Sequence, residues 1–208
     1  MTKNSIQIFD ILSKTYPQAY CELVHSSVWQ LLVATILSAQ CTDKRVNIVT
    51  KELFNKYPTI EDYKNLELDT LKSIIRPTGF FNNKAKYILA ASKKIINDFD
   101  GVVPEEMEKL ITIPGIARKS ANVVLSVWYK KNDGVVVDTH VKRIAKLLGL
   151  TKNTDVLKIE KDLMKLYPRK DWERLSTYIV WHGRNICFAR RPQCAICPLN
   201  KICPSARI

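Results

Sequence analysis

What this sequence lacks narrows the possibilities quickly. No uninterrupted apolar run approaches the roughly 18 residues that would span a membrane, and the chain opens without an apolar signal core or an Arg/Ser-rich transit segment. It is therefore expected to stay in the compartment where it is made, the cytoplasm (beside the nucleoid if the source is prokaryotic), and to act as a monomer with no membrane partner. No internal repeat, low-complexity tract or flexible linker interrupts the 208 residues, enough chain for one good core or two small ones. Strand signals are almost missing: Val135-Val136-Val137 is the single strand-like run, too isolated to build a sheet. Acidic residues are short as well. Only 20 Asp and Glu stand against 33 Lys and Arg, a formal charge of +13. A surplus of that size in a non-secreted protein marks a polyanion partner, nucleic acid first. An anionic membrane surface is the competing reading, but no strongly amphipathic Lys-rich helix with exposed Trp or Phe supports it.

Cysteine is scarce until the end of the chain. Cys21 and Cys41 stand alone, and then Cys187, Cys194, Cys197 and Cys203 crowd the last 22 residues with six, two and five residues between them. Four thiolates so close in sequence can wrap a 4Fe–4S cube, which needs one ligand at each iron corner. Pro192, Pro198 and Pro204 stiffen the connections, and Arg184, Arg190 and Arg191 place positive charge beside an anionic centre. Zinc and disulfides are the alternatives. Structural zinc more often pairs two Cys-x-x-Cys knuckles, and only Cys194 and Cys197 make one here. Disulfides fit poorly with a chain that carries no signal peptide. The spacing favours the cluster and leaves the other two open.

The remaining pattern is helical. Apolar residues at Ile8, Ile11, Leu12 and Tyr16 draw one helix face between Asn4 and Tyr16, and Val28–Leu37 is apolar nearly throughout, as a buried helix would be. Thr42 or Asp43 can cap a helix to Tyr57, and Asp69 one over Leu71–Ile75. Asn82 or Asn83 opens a helix carrying Ala85, Ile88, Leu89, Ile95 and Ile96, and Pro104 suits the first turn of a short helix reaching Leu110. Further helices are expected over Arg118–Trp128, Thr139–Leu148, Asp155–Leu166 and Trp172–Asn185. The fold class is all-α, about ten short helices.

Between two of these helices, Leu110 to Leu125 reads LITIPGIARKSANVVL. A helix ending near Ile113, a Pro114-Gly115 turn and a helix starting around Ala117 would present backbone N–H groups at the second helix's N-terminus. Such a terminus carries unsatisfied donors and partial positive charge, which suits a phosphate oxygen and grips DNA without reading its sequence. Taken alone, a Pro-Gly turn is usually only a turn; here Arg118 and Lys119 follow at once.

This stretch resembles the helix–hairpin–helix of the endonuclease III family of DNA glycosylases, and the cysteine array matches that family's 4Fe–4S loop. LSAQCTD at 37–43, GFFNNKA at 79–85, VVDTHVKR at 136–143 and WHGRNIC at 181–187 continue the match in order along essentially the whole chain. The family typically has Gly where this chain has Ala117, so an added methyl faces the phosphate, and Ser120 stands where Thr is common.

The resemblance implies the fold and the roles. It implies a two-lobed all-α protein, with residues 22–133 as a helical lobe holding the hairpin. Residues 1–21 plus 134–208 form the cluster lobe, and DNA lies over the cleft. Cys187, Cys194, Cys197 and Cys203 become the 4Fe–4S ligands. Lys119 becomes the nucleophile: excising a base needs attack at the sugar C1′, and a neutral amine can do this covalently, leaving a Schiff base. A helix N-terminus with Arg118 adjacent disfavours a second positive charge, which helps such an amine shed its proton. By itself Lys119 could equally be a phosphate-binding lysine, and Asp138 an N-cap for the following helix. The family gives Asp138 a catalytic role compatible with that cap. His140 and His182 read as structural, and His25 is uninformative.

A flipped nucleotide leaves a hole. Gln40 resembles the family's hole-filling residue, and Phe80 falls where the family places an apolar wedge, although the sequence leaves open which of Phe80 and Phe81 points outward. Gly115, Ala117, Arg118, Arg190 and Arg191 complete the expected DNA contacts. The implied activity is a bifunctional glycosylase and AP lyase on oxidised pyrimidines or abasic sites in duplex DNA. Two alternatives stand beside it. The adenine-mismatch branch typically lacks this lysine and adds a C-terminal domain, so Lys119 and the end at Ile208 speak against it. The other is a non-catalytic hairpin-and-cluster sensor.

Overall fold

The computed structural model describes residues 3–207 and is entirely helical: among these residues there are ten α-helices, short 3₁₀ turns and no strand. In chain order they are α1 (Lys3–Thr15), α2 (Val28–Leu37), α3 (Asp43–Lys56), α4 (Leu68–Ile75), α5 (Phe81–Asp98), α6 (Met107–Leu110), α7 (Arg118–Val127), α8 (Thr139–Leu147), α9 (Val156–Leu166) and α10 (Trp172–Asn185). Val135–Val137 is irregular, its flanking valines 135 and 137 buried in a helical core instead of paired in a ladder. The chain divides into two compact units, Glu22–Lys131 and Met1–Cys21 with Asn132–Ile208.

The first unit is built around α2. The Ser27 side chain caps it by accepting from the Gln30 N–H, and every residue from Trp29 to Leu37 is buried. Helices α3, α5 and α7 pack on it, with α4 against α3 and α5 and α6 against α7. Burying each of its Leu, Ile and Val side chains contributes on the order of 1.5–3 kcal/mol, so a helix apolar on all sides has no stable place except here. Thr42 caps α3 through the Arg45 N–H at 3.3 Å.

Three element starts differ from the sequence expectation. Helix α4 begins at Leu68 after Glu67, and Asp69 sits in its first turn, where its carboxylate takes the Lys72 ammonium at 2.8 Å. Helix α5 begins at Phe81, ahead of both asparagines, because Phe80 holds the N-cap position in the left-handed region. Helix α6 lacks its expected Pro104 start: the chain from Val102 to Glu105 is irregular, pinned by the Tyr129 hydroxyl donating to the Val103 carbonyl, so only Met107–Leu110 winds up.

In the other unit, α10 packs on α8 and α1, with α9 against α8. Its core joins Ile8 and Leu12 to Val141, Ile144, Ile159, Leu163, Leu175 and Ile179. The helices α8 and α10 meet at Gly183. A Cβ there would stand 2.5 Å from Nδ1 of His140 and 2.8 Å from Cδ1 of Ile144, which is closer than atoms can pack. Alanine at this mid-helix site would gain about 1 kcal/mol in helix propensity, but forcing a methyl into that contact costs about 1–3 kcal/mol. Since the nearest obstacle is an imidazole ring, the clash should win. Gly183→Ala is expected to lower the melting temperature by about 2–4 °C or more; a calorimetric scan showing an unchanged or higher midpoint would show that α8 and α10 are less tightly apposed than this.

Candidate functional site

The site begins at the Pro114-Gly115 turn. The Ile116 N–H donates to the Ile113 carbonyl at 3.0 Å, closing a four-residue turn with Pro114 second and Gly115, at φ +82°, third. Proline's fixed φ followed by a positive φ is what this turn demands. Gly115 is also out of room: a Cβ would lie 2.8 Å from Cβ of Tyr87 on α5 and 3.5 Å from Cδ1 of Ile36 on α2. The turn hands the chain to Ala117, extended at φ −95° and ψ 169°, which precedes α7 without a side-chain cap. Elsewhere Ser27, Thr42, Asp138 and Asp155 fill that position and occupy an N–H of their helices. Alanine has no side-chain acceptor, so no side chain at that position takes an N–H of α7. The backbone at Ala117 is one that any residue adopts, so replacing glycine costs no strain here. Arg118, Lys119 and Ser120 form the first turn of α7, all half-buried.

Asp138 lies in the other unit. Its Oδ1 accepts from the Val141 N–H at 2.8 Å, capping α8, so the capping role foreseen for it is present, and its half-buried carboxylate has a second oxygen to offer. Thr139, Lys142, Arg143, Lys146, Asn153 and Thr154 line a basic recess of about 420 Å³ on the same unit. Arg190 and Arg191 are exposed in the loop beyond α10.

Four non-glycine residues of the first unit have left-handed φ, Gln40, Phe80, Asp100 and Lys130, and the first two are residues the sequence singled out. Gln40, exposed beyond the end of α2, has φ +53°; Phe80, 62% exposed ahead of α5, has φ +49°. Such backbone costs about 1–3 kcal/mol and persists only where the surroundings enforce it. The outward phenylalanine is therefore Phe80, while Phe81 is half-buried with the Arg76 guanidinium 5.9 Å from its ring centre. Behind both loops lies a residue the sequence reading passed over. Lys84, only 4% exposed, donates from Nζ to the Leu37 carbonyl and to the Thr78 carbonyl, both at 2.8 Å. Burial lowers its pKa from the ordinary lysine value, with Cys41 opposing. A signal was available: Lys84 shares the buried stripe of α5 with Ile88, Ala91 and Ile95, where a charge needs a reason.

The cysteine loop starts where α10 stops. The N–H groups of Ile186 and Cys187 both donate to the His182 carbonyl, at 3.0 and 2.8 Å, and Cys194–Ile196 form a 3₁₀ turn closed by Cys197 N–H to Cys194 O. All four thiols are half-buried, and none of the six cysteines is in a disulfide. Among the described residues no three His, Cys, Asp or Glu are grouped as ligands of a single metal ion; a four-iron cube takes one sulfur per corner. The surroundings suit an anionic centre. Arg143 Nη2 donates to the Cys187 carbonyl at 2.6 Å; burial raises the Cys187 thiol and the Arg143 charge opposes it. Burial likewise raises Cys197, opposed by a backbone hydrogen bond from Leu199. Buried thiols held up in this way become stable thiolates when a metal takes the proton's place. His182, buried and pushed down to about 4 by desolvation and then by Arg143, links Cys197 Sγ at 3.5 Å to the Tyr16 hydroxyl at 3.0 Å. That neutral bridge from the loop to Tyr16, just past the end of α1, gives His182 the structural role expected of it; the parts of Tyr16 and Arg143 were not foreseen. His25 bonds the Leu23 carbonyl at 2.7 Å, and its ring lies 5.9 Å from that of Trp128.

Comparison with known proteins agrees with this geometry. Residues 33–169 match the model of the HhH-GPD superfamily base excision DNA repair proteins, and residues 187–203 match the iron-sulfur binding domain of endonuclease III. The endonuclease III of Synechocystis sp. is 52% identical over 205 residues, covering 99% of this chain and 94% of its own. A solved non-covalent endonuclease III–DNA complex superposes with a TM-score of 0.94 at 41% identity, covering 99% of this chain and 97% of that one. A trapped covalent endonuclease III–DNA intermediate does so with the same score and coverage at 42%.

Purified protein is expected to be yellow-brown with about four iron and about four sulfide per chain. Cys197→Ser should strip the colour, whereas Cys21→Ser and Cys41→Ser should keep it; one zinc without iron on elemental analysis would overturn the cluster.

Proposed function

The chain belongs to the endonuclease III family of base excision DNA repair glycosylases, and from that premise we propose that it removes oxidised pyrimidines from duplex DNA as a monomer in the cytoplasm, using Lys119 as nucleophile, and nicks the strand 3′ of the abasic site. It is an enzyme of base excision repair, a DNA glycosylase and AP lyase that carries a 4Fe–4S cluster. The observation that carries the assignment of Lys119 is its place in the first turn of α7, behind the Pro114-Gly115 turn and a residue that does not cap the helix, in a chain 42% identical to a protein trapped covalently on DNA.

Each part of the reaction has a residue suited to it. The backbone N–H groups at the start of α7, with Gly115 and Ala117 beside them and Arg118 adding charge, bind a phosphate oxygen near the lesion. Phe80 wedges a base step while Gln40 fills the hole left by the extruded nucleotide, its amide matching the edge of the widowed base. The Lys119 amine then forms a bond to C1′ as the C1′–N bond to the base breaks, the base leaving with the electron pair and taking a proton from water. Asp138 takes the amine's proton and offsets positive charge gathering on the sugar. The sugar ring opens to a Schiff base, which acidifies the C2′ proton. Removing that proton expels the 3′ oxygen and breaks the strand, and water then frees Lys119. Cys187, Cys194, Cys197 and Cys203 hold the cluster, whose part is structural: bound there, it braces the loop that carries Arg190 and Arg191 against phosphate.

Lys119→Gln should abolish borohydride trapping on an abasic duplex and strand cleavage, with duplex binding retained; persistent trapping would mean that another amine attacks. Asp138→Asn keeps an acceptor for the Val141 N–H and removes the charge. It should slow base excision by at least about tenfold, roughly 1.4 kcal/mol in the barrier, and an unchanged rate would leave Asp138 only its cap.

If about 4–6 phosphates are neutralised, log K for undamaged duplex should fall with log salt at a slope near −4 to −5, and Arg190→Ala or Arg191→Ala should each reduce that slope by about one unit. A slope near zero would remove the electrostatic basis of binding. A cleavage panel of duplexes, each with one defined lesion, tests the preference for oxidised pyrimidines.

A further inference from the structure

Lysine is among the residues least often buried without a partner, and Lys84 is one of few charged side chains in the interior of its unit. Its two hydrogen bonds go to carbonyls 47 and 6 residues away in sequence. Leu37 is the last residue of α2, and Thr78 the last of the 3₁₀ turn Arg76–Thr78. Both are helix-end carbonyls, carrying the partial negative charge that gathers where the ladder runs out. A cation that meets two such ends from inside the protein fastens one to the other.

What hangs from those ends decides the meaning. Three residues beyond Leu37 is Gln40, and two beyond Thr78 is Phe80. Both are exposed and both are held at positive φ. Gly79, at φ +68° and ψ 160°, precedes Phe80 in a region open essentially to glycine alone. The Lys84 N–H also donates to the Phe80 carbonyl at 3.1 Å, so Lys84 grips the Phe80 loop on both sides and the Gln40 loop on one. We propose that Lys84 is a positioning residue that locks the spacing between the Gln40 and Phe80 loops, so that the two side chains enter one base stack together and extrude the lesion in a single step.

The physical case is one of tolerance. Successive bases lie 3.4 Å apart along a strand, and misplacement by about 1 Å is enough to spoil a concerted insertion. Two loops ordered separately would each lose conformational freedom on meeting DNA; a shared ammonium orders them beforehand. Neutral side chains could fill the same space, and an amide offers two donors, but none adds the positive charge that two converging helix ends attract. Lys84 touches neither DNA nor the sugar in this scheme. It acts on extrusion and leaves the Lys119 chemistry alone.

The proposal rests on reading Phe80 as the wedge and Gln40 as the plug, and the test separates the two. Two single-turnover rates are measured on full-length, cluster-bearing protein: excision of thymine glycol paired with adenine in a duplex, and borohydride trapping on a duplex whose abasic site already lacks its base. Phe80→Ala and Gln40→Ala should each lower excision more than trapping; if neither does, the wedge-and-plug reading is wrong.

With that reading intact, Lys84→Met should lower the excision-to-trapping ratio by about tenfold, and Lys84→Arg should recover most of it. Adding Lys84→Met to Phe80→Ala should cost no more than about a further twofold, because a lock on an absent wedge has nothing left to do. Lys84→Gln, which keeps an N–H donor group but no charge, is carried through the same cycle in case the methionine variant does not fold. Equal losses in both rates, or losses that multiply independently with Phe80→Ala, would make Lys84 a general prop of the fold and overturn the proposal.

Discussion

Everything the first unit offers to DNA depends on the burial of α2. A ten-residue helix apolar on nearly every side cannot lie at a surface, and once it is enclosed its neighbours have few choices. Helix α7 packs along it, which sets where the hairpin faces, and Ile36 reaches the underside of Gly115. Helix α5 packs along it too, bringing Tyr87 against the same glycine and Lys84 under the last carbonyl of α2. The Pro114-Gly115 turn, the Gln40 loop and the Phe80 loop are thus three attachments to one buried rod. A rigid mount matters because each attachment is costly in isolation: an uncapped helix start, and two left-handed backbones without glycine at the residue concerned.

The other unit solves a different problem, keeping negative charge near the end of a strongly basic chain. Burial raises the Cys187 and Cys197 thiols, which by itself favours protonated sulfur there, and a metal centre that takes the protons' place relieves it. Arg143 reaches in to the Cys187 carbonyl, and His182 stays neutral while spanning from Cys197 to Tyr16. The loop is consequently tied to α8, α10 and α1 at once. The exposed Arg190 and Arg191 sit on the stretch so restrained, and in the proposed function a floppy loop there would lose phosphate affinity to ordering.

Asp138 shows how one carboxylate can satisfy local and chemical demands together. One oxygen closes the start of α8, a task that fixes the side chain's direction and that any Asp, Asn, Ser or Thr could perform. The charge is the extra ingredient, and it is what the proposed chemistry draws on. Where a capping residue is also a reactive one, its rigidity comes with the helix and needs no further support.

Features legible in the sequence were those whose cause is local. Thr42 and Asp138 cap because a short oxygen-bearing side chain before a helical stripe meets orphan N–H groups a few atoms away; Pro114-Gly115 turns because proline presets one dihedral and glycine tolerates the next; four cysteines within 17 residues can wrap one centre whatever the rest does. Family likeness named Lys119 and Gln40 without any geometry. What only the tertiary structure decided were contacts between distant segments and the backbone they impose. Phe80 and Phe81 are equivalent as letters, and it is the left-handed turn at Phe80, gripped by Lys84, that sends one to solvent and leaves the other against Arg76. Lys84 itself read as one more basic residue, because its partners are two helix ends, one of them 47 residues away, and no local pattern reveals which carbonyls a folded chain will leave open beneath its surface.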